Sequence, residues 1–133
     1  MSDTLSESVI STPDGLPGFD QIRSWHLERE APDAAFAVLR ATGEPSIGLL
    51  VTEPWDLAPG YEPDLPDSEL AALGVDEAGE VAIFVVAGID VAKRRAWLNL
   101  AAPIVVHVAS GRARQVILDR QGWPVRHPVR LGA

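Results

Sequence analysis

The chain of 133 residues has no cysteine and a single methionine. Without cysteine it can form neither disulfide bonds nor thiolate metal sites. It also lacks any apolar run long enough to cross a bilayer, and its first residues show neither the basic start nor the apolar core of a secretion signal. These absences predict a cytoplasmic protein that makes no membrane contact.

Basic residues are scarce and unevenly placed. The chain carries 11 Lys and Arg against 19 Asp and Glu, a net charge of −8, which argues against direct binding of nucleic acid. Residues 1–80 hold 17 acidic and 3 basic residues, whereas residues 81–133 hold 2 and 8. Either the first part forms an acidic face for a basic partner, or strands from both parts interleave and mix the charges.

Catalytic and metal-binding motifs are missing too. There is no Gly-x-Ser-x-Gly nucleophile motif and no glycine-rich phosphate loop. His26 alternates with Glu28 and Glu30 and is the best metal candidate, although a solvated polar face is the favoured interpretation. We expect His107 to be hydrogen-bonded or solvated and His127 to be structural or at an interface. The sequence therefore predicts a protein that is not an enzyme and binds no cofactor or metal.

Two charged stretches are interpreted as solvated turns. The segment 76–80 lacks the alternating oxygen ligands of a calcium-binding EF-hand loop. The only basic cluster, Lys93-Arg94-Arg95, is too short by itself to indicate RNA binding. Both stretches are expected to connect regular elements.

What the chain does contain is enough apolar residue, 47% of the total, to build a core. Apolar runs bounded by Gly and Pro predict strands over 8–12, 22–27, 35–41, 47–51, 80–89, 96–100, 104–108 and 114–118. A helix is predicted over 67–73, between Pro66 and a left-handed cap at Gly74. We therefore predict one domain over residues 1–133, with residues 1–8 flexible. Its fold should be mostly β, a small barrel-like antiparallel sheet domain with one or two short helices.

A long loop over residues 54–66 contains four prolines together with Trp55 and Tyr61. Loops of this length are usually either functional or disordered, and the two aromatic residues favour an ordered loop. Trp25 and Trp123 are also predicted in or beside loops. Aromatic side chains dominate the energetics of interfaces, although each of these four could instead close one end of the core.

Five short segments follow one another along the chain. They are Asp14-Gly15-Leu16-Pro17-Gly18-Phe19, Pro59-Gly60-Tyr61-Glu62, Asn99-Leu100-Ala101-Ala102-Pro103-Ile104, Gln115-Val116-Ile117-Leu118 and Arg126-His127-Pro128-Val129. In this order they resemble FliW, the flagellar assembly factor family of bacteria, over residues 9–129. The resemblance implies a small, mostly β, barrel-like protein without catalysis.

The resemblance also implies two protein partners. Family members bind newly made flagellin as its cytoplasmic chaperone. They also bind CsrA, a small RNA-binding translational repressor, and antagonise it away from its RNA surface. Competition between these partners would couple flagellin translation to flagellin export, and the free protein is expected to be a monomer.

The segments that carry the resemblance, the 54–66 loop and the region from Trp123 to His127 supply the candidate site residues. Those expected to contact a partner are Pro54, Trp55, Tyr61, Asn99, Trp123, Arg126 and His127. Those expected to be structural are Gly15, Pro17, Gly18, Phe19 and Pro103.

The chain departs from the family pattern in places. Members usually have a further strand-forming stretch where only residues 1–8 stand here, so one edge strand is expected to be short or absent. Trp123 replaces a usual tyrosine, and His107 stands where asparagine is common.

Two other functional classes compete with this interpretation. A small-ligand-binding β-barrel regulatory domain of the PilZ kind would need a serine where Ala101 stands. A hydrolase on a β scaffold would need histidines that converge with a carboxylate and a nucleophile.

Overall fold

The computed structural model describes residues 9–31, 33–75 and 80–131. The segment predicted to be flexible, 1–8, lies outside the described residues, as do residues 76–79. The elements are β1 (Val9–Ser11), β2 (Ser24–Glu28), β3 (Phe36–Ala41), β4 (Gly48–Thr52), α1 (Asp67–Leu73), β5 (Val81–Asp90), β6 (Arg95–Leu98), β7 (Ile104–His107), β8 (Ala113–Gln115) and β9 (His127–Arg130). None of the described helices is both long and apolar enough to span a membrane.

The strands form one antiparallel sheet that curls back toward its own first strand. Its main order is β1-β2-β3-β4-β5-β6-β9, while β7 pairs with both β5 and β8. Just before β8, Arg112 forms a single parallel bridge to Ser11 of β1, and the Ser11 backbone N–H donates to the Gly111 carbonyl at 2.8 Å. The predicted fold, mostly β and barrel-like, is confirmed.

The long strand β5 belongs to two parts of the sheet. Its first residues, 81–84, pair with β7, and 85–86 pair with β4. Its last residues, 87–90, pair with β6, which in turn pairs with β9. We call residues 87–90, β6 and β9 the C-terminal sub-sheet. Ile83, Phe84 and Val85 are all buried, as expected of a central strand with no solvated face.

Alternation along β2 places its aromatic residue in the barrel core. Trp25 and Leu27 are buried, whereas His26 and Glu28 are exposed. The Trp25 indole N–H donates to the Thr12 hydroxyl at 3.1 Å, and this hydroxyl donates to the Ile22 carbonyl at 3.0 Å. Of the two interpretations offered for Trp25, a loop anchor or a core residue, the structure supports the core residue, because strand periodicity directs it inward.

The segment 15–19 makes a tight corner between β1 and β2. Gly15 and Gly18 both have positive φ, at 75° and 84°, a region that favours glycine. A Cβ on Gly15 would lie only 2.8 Å from the backbone of Asp20. Pro17 is exposed on the corner, while Phe19 packs edge-on against Trp25 with ring centroids 5.9 Å apart.

The helix and the turn before β7 also follow their local sequence. Helix α1 begins after Pro66 and ends at Gly74, whose φ of 79° gives the predicted left-handed cap. Pro103 is buried immediately before β7, and its carbonyl accepts the Val116 N–H at 2.9 Å.

Two elements differ from the prediction. Strand β8 ends at Gln115, earlier than expected, because the chain beyond it hydrogen-bonds to residues that precede β7 rather than to β7 itself. Strand β9 was not predicted, since Pro128 lies inside it. Proline removes a ladder hydrogen bond, but an edge strand tolerates that loss.

Candidate partner-binding site

Three aromatic residues predicted for the site pack together, and we call them the aromatic cluster. The rings of Tyr61 and Trp123 meet edge-on with centroids 4.8 Å apart. The Trp55 ring lies 6.1 Å from Tyr61 on a plane tilted by 30°. These spacings are those at which aromatic pairs attract one another. The cluster therefore joins the proline-rich loop to the segment before β9.

Tyr61 is the buried centre of this cluster. Its side chain is 3% exposed, and its hydroxyl donates to the Leu100 carbonyl at 2.7 Å. Burial raises the pKa of Tyr61 to about 12, so the phenol is neutral at physiological pH. That Tyr61 contacts a partner stays a prediction; in this structure its buried ring packs against Trp55 and Trp123.

Trp55 is the member of the cluster that faces solvent. It is 44% exposed, while the preceding Pro54 is buried and its carbonyl accepts the Ala58 N–H at 2.7 Å. Trp123 is half-buried, and Val125, two residues further on, is 62% exposed. The cluster and the segment after it therefore each expose a large apolar side chain, Trp55 and Val125.

Gln121, which no sequence motif marks, holds the proline-rich loop in place through two hydrogen bonds. The Gln121 side chain donates to the Asp64 carbonyl at 2.7 Å and accepts the Asp64 N–H at 2.9 Å. Nearby, the Leu100 N–H donates to the Pro124 carbonyl at 3.0 Å. A glutamine in a polar loop carries no local signal, because the two segments that it joins lie far apart in the sequence.

Asn99 turns the chain at the end of β6. Its N–H donates to the Val86 carbonyl at 2.9 Å, and its side-chain oxygen accepts the Ala101 N–H at 3.1 Å. This is the short-range bond that asparagine commonly makes in turns. Asn99 therefore shapes the corner that presents the Leu100 carbonyl to Tyr61.

The last two predicted contact residues belong to the C-terminal sub-sheet. The Arg126 guanidinium stacks over the ring of Trp97 at 4.5 Å. His127 starts β9, pairs with Leu98, and is half-buried. Trp97 was not singled out from the sequence, because its partner Arg126 is distant along the chain.

His107 takes part in a hydroxyl, imidazole and carboxylate arrangement. Its Nδ1 lies 2.8 Å from the Ser110 hydroxyl, and its Nε2 lies 3.0 Å from Glu80. The two amides that follow Ser110 are already used, since Gly111 donates to the His107 carbonyl and Arg112 donates to the Ser110 hydroxyl. Neither amide is free to stabilise an oxyanion, so the arrangement ties the start of β5 to the β7–β8 turn.

The metal candidate on β2 lies on a solvated face. His26 and Glu28 are exposed, and Glu28 pairs with Arg40 at 3.2 Å. Within residues 9–31, 33–75 and 80–131, no three His, Asp or Glu side chains are grouped to hold a metal ion.

Charge mixes between the two parts of the chain only in places. Arg114 of β8 reaches Asp14 at 3.0 Å and Glu69 of α1 at 2.8 Å. By contrast, Arg29 and Glu53 pair within the acidic part of the chain at 3.1 Å. Mixing of charge between the two parts of the chain is therefore present at Arg114, and the acidic face stays a prediction.

Comparison with known proteins places this fold and site in a family. The family model described as FliW protein matches residues 2–129. The flagellar assembly factor FliW of Symbiobacterium thermophilum is 32% identical over 129 residues, which are 96% of this chain and 93% of that protein. FliW of Desulfitobacterium hafniense is 32% identical over 126 residues, 94% of this chain and 82% of the relative.

A solved structure agrees. The crystal structure of the flagellar assembly factor FliW superposes with a TM-score of 0.84 at 29% identity, covering 94% of this chain and 86% of that one. The resemblance first drawn from five short segments is confirmed, and this chain belongs to the FliW family of flagellar assembly factors.

Proposed function

We propose that this protein is a non-enzymatic, cytoplasmic assembly factor that binds two partners in turn. It binds flagellin as a chaperone, and it binds the translational repressor CsrA so that flagellin is made only as fast as it is exported. The chain acts as a single, monomeric domain when free and makes no direct contact with nucleic acid. The observation that most supports this proposal, beside family membership, is the exposed indole of Trp55 held on a buried Tyr61.

The aromatic cluster has the physical properties of a binding anchor. Trp55 exposes a large apolar side chain, and the ordered loop beneath it limits the entropy that would be lost on binding. An amphipathic helix, such as the terminal helices expected of flagellin, docks by placing apolar anchors against such a surface. We therefore assign flagellin to the aromatic cluster.

CsrA is assigned to the protein's acidic surface for an electrostatic reason. A protein whose surface holds RNA is basic, and this chain carries a net charge of −8. Exposed acids on the outer face of β2, such as Glu28, and on the following residues, such as Glu30, contribute to that charge. Complementary charge speeds encounter and selects among partners.

Titration calorimetry with cognate flagellin and cognate CsrA tests the proposal. We expect Trp55→Ala to weaken flagellin binding by about tenfold or more. Val91→Ala is the matched control, because Val91 is 80% exposed in the turn after β5, and it should change binding by less than about twofold. Absence of a complex with either partner at micromolar concentration would disprove the proposal.

The salt dependence of binding distinguishes the CsrA contact from the flagellin contact. Raising the salt concentration should weaken CsrA binding more than flagellin binding, since exposed charges are screened while apolar contacts are not. The opposite ranking would contradict the assignment of CsrA to an acidic surface. Flagellin added to a preformed CsrA complex should release CsrA, and a stable ternary complex would contradict binding in turn.

A further inference from the structure

The C-terminal sub-sheet presents one face to the core and one to solvent. On β6, Ala96 and Leu98 are buried while Arg95 is exposed. Residues directly opposite one another in an antiparallel pair point to the same side. Arg95 lies opposite Arg130, and Trp97 lies between Gly88 and Pro128 in the neighbouring row. We call the solvent-facing side of these rows the basic face.

Two arginines and one carboxylate share a row across this sub-sheet, since Arg95 lies between Asp90 and Arg130. Arg95 and Arg130 are cross-strand partners, and both are exposed. Like charges placed directly opposite destabilise a sheet. In the part of the chain that the structure describes, neither arginine forms an ion pair. Asp90, opposite Arg95, accepts the Lys93 N–H, so this row carries two positive charges against one negative charge.

A shallow depression lies at this arginine pair. It is lined by Arg95, Pro128, Val129 and Arg130. Two guanidinium groups at the margin of one depression supply several parallel N–H donors, which is the arrangement that carboxylates accept.

The turn beside this pair adds further positive charge at the cost of backbone strain. Arg94 has a φ of 52°, which makes it the one non-glycine residue with positive φ in the described residues. Glycine or asparagine is the usual occupant of that conformation. The Arg94 carbonyl accepts the Leu131 N–H at 2.8 Å, so the strained turn is fastened to the end of β9. Strain retained at a surface turn is typical of a functional position.

In the neighbouring row, the Trp97 side chain packs against Gly88 and against the guanidinium of Arg126. A Cβ on Gly88 would lie 2.4 Å from the Trp97 ring, so the indole rests directly on the glycine backbone. Arg126 stacks over the same ring at 4.5 Å, a cation–π contact that limits the motion of both side chains.

We propose that the basic face is a second binding surface, which takes an acidic segment of a partner polypeptide with carboxylates between Arg95 and Arg130. This surface is separate from the aromatic cluster, and the proposal does not depend on the proposed function. Charge complementarity favours such a segment, since three exposed arginines, Arg94, Arg95 and Arg130, stand here against the single carboxylate of Asp90.

Other occupants fit less well. The net charge of −8 opposes every anionic occupant at long range, so a short acidic segment that meets only the arginine pair is favoured over an extended polyanion or an anionic membrane. Base stacking on Trp97 would also have to displace Arg126. A second copy would have to place its acidic side on this basic face. Such a head-to-tail contact does not form a closed dimer. The two copies would also repel each other, because each carries a net charge of −8.

Fluorescence anisotropy with a labelled oligoglutamate peptide tests the proposal. The double variant Arg95→Gln and Arg130→Gln should bind the peptide about tenfold more weakly than the native protein. The matched control is Arg112→Gln and Arg120→Gln, which removes the same charge from two exposed arginines outside the sub-sheet; it should change binding by less than about twofold. Arg130→Gln alone should raise Tm slightly, because it removes the repulsion without removing a buried contact.

Four results would overturn the proposal. The first two are the absence of peptide binding by the native protein and equal losses of binding in the two double variants. The third is that the arginine pair binds oligothymidine or phosphatidylserine vesicles more tightly than it binds the peptide. The fourth is a concentration-dependent self-association of the native protein that the Arg95 and Arg130 variant abolishes. A drop in the Tm of the Arg95 and Arg130 variant would identify the pair as structural instead.

Discussion

The aromatic cluster and the basic face each display a tryptophan, but they are stabilised in different ways. In the cluster, the exposed Trp55 rests on Tyr61, which is buried and hydrogen-bonded. On the basic face, Arg126 stacks over Trp97, and the neighbouring row holds Arg95 opposite Arg130, next to the strained Arg94. The cluster separates the residue that supports from the residue that contacts. On the basic face, the residues offered to a partner are themselves the ones that cost stability.

The largest expected effect tests that separation in the cluster. Tyr61→Ala should lower the free energy of unfolding by about 3–5 kcal/mol, because it empties a buried aromatic site and leaves the Leu100 carbonyl without its donor. Trp55→Ala should lower the free energy of unfolding by less than about 1 kcal/mol, since nearly half of that side chain is already exposed to water. Urea unfolding of both variants measures the difference, and similar losses would make Trp55 a core residue.

The next effect concerns the proton on Tyr61. Its pKa rises from 10.0 to about 12 on burial, so the folded state keeps the proton that the unfolded state releases above pH 10. The contribution of the protonated Tyr61 to the free energy of unfolding is therefore fully present below pH 10. It is lost as the pH rises toward 12, which lowers the free energy of unfolding by up to about 2–3 kcal/mol. The chain has one tyrosine, so tyrosinate absorbance reports Tyr61 alone. A titration midpoint near 10 in the folded protein would contradict the burial argument.

A smaller effect tests how the basic face is built. Gly88→Ala should destabilise the protein by about 1–3 kcal/mol, because the added methyl group enters space that the Trp97 ring occupies. It should also move Trp97 away from Arg126 and change indole fluorescence. Gly60→Ala is the control, since a Cβ there meets nothing within 4 Å. Equal thermal stability of the two variants would show that Trp97 does not depend on the glycine surface.

The contrast between the two regions also explains what the sequence could predict. The cluster lies in segments with strong local signals, namely a proline-rich loop and bounded apolar runs, so its residues could be named in advance. Their individual roles could not, because the burial of Tyr61 depends on Leu100, which is distant along the chain. For Trp25 the local signal could decide between loop and core, since its alternation with His26 and Glu28 marks a core-facing position.

The C-terminal sub-sheet was the least predictable region. Strand β9 has only four residues and contains Pro128, so neither periodicity nor propensity indicates a strand. Its pairing depends on β6, many residues earlier. The predicted turn is confirmed at Lys93 and Arg94, whereas Arg95 already belongs to β6, and no local pattern shows that Arg130 faces Arg95.

The smallest expected effect separates strain from charge in that turn. Arg94→Gly should raise the free energy of unfolding by about 0.5–1 kcal/mol, because glycine adopts positive φ without the steric cost that Arg94 bears at 52°. Arg94→Ala removes the same charge but keeps a Cβ in the strained conformation, so it should not share this gain. If both variants weaken oligoglutamate binding equally while only the glycine variant is stabilised, the strain and the charge at Arg94 are independent. Equal stabilisation of both variants would instead assign the cost of this turn to charge repulsion, as at Arg95 and Arg130.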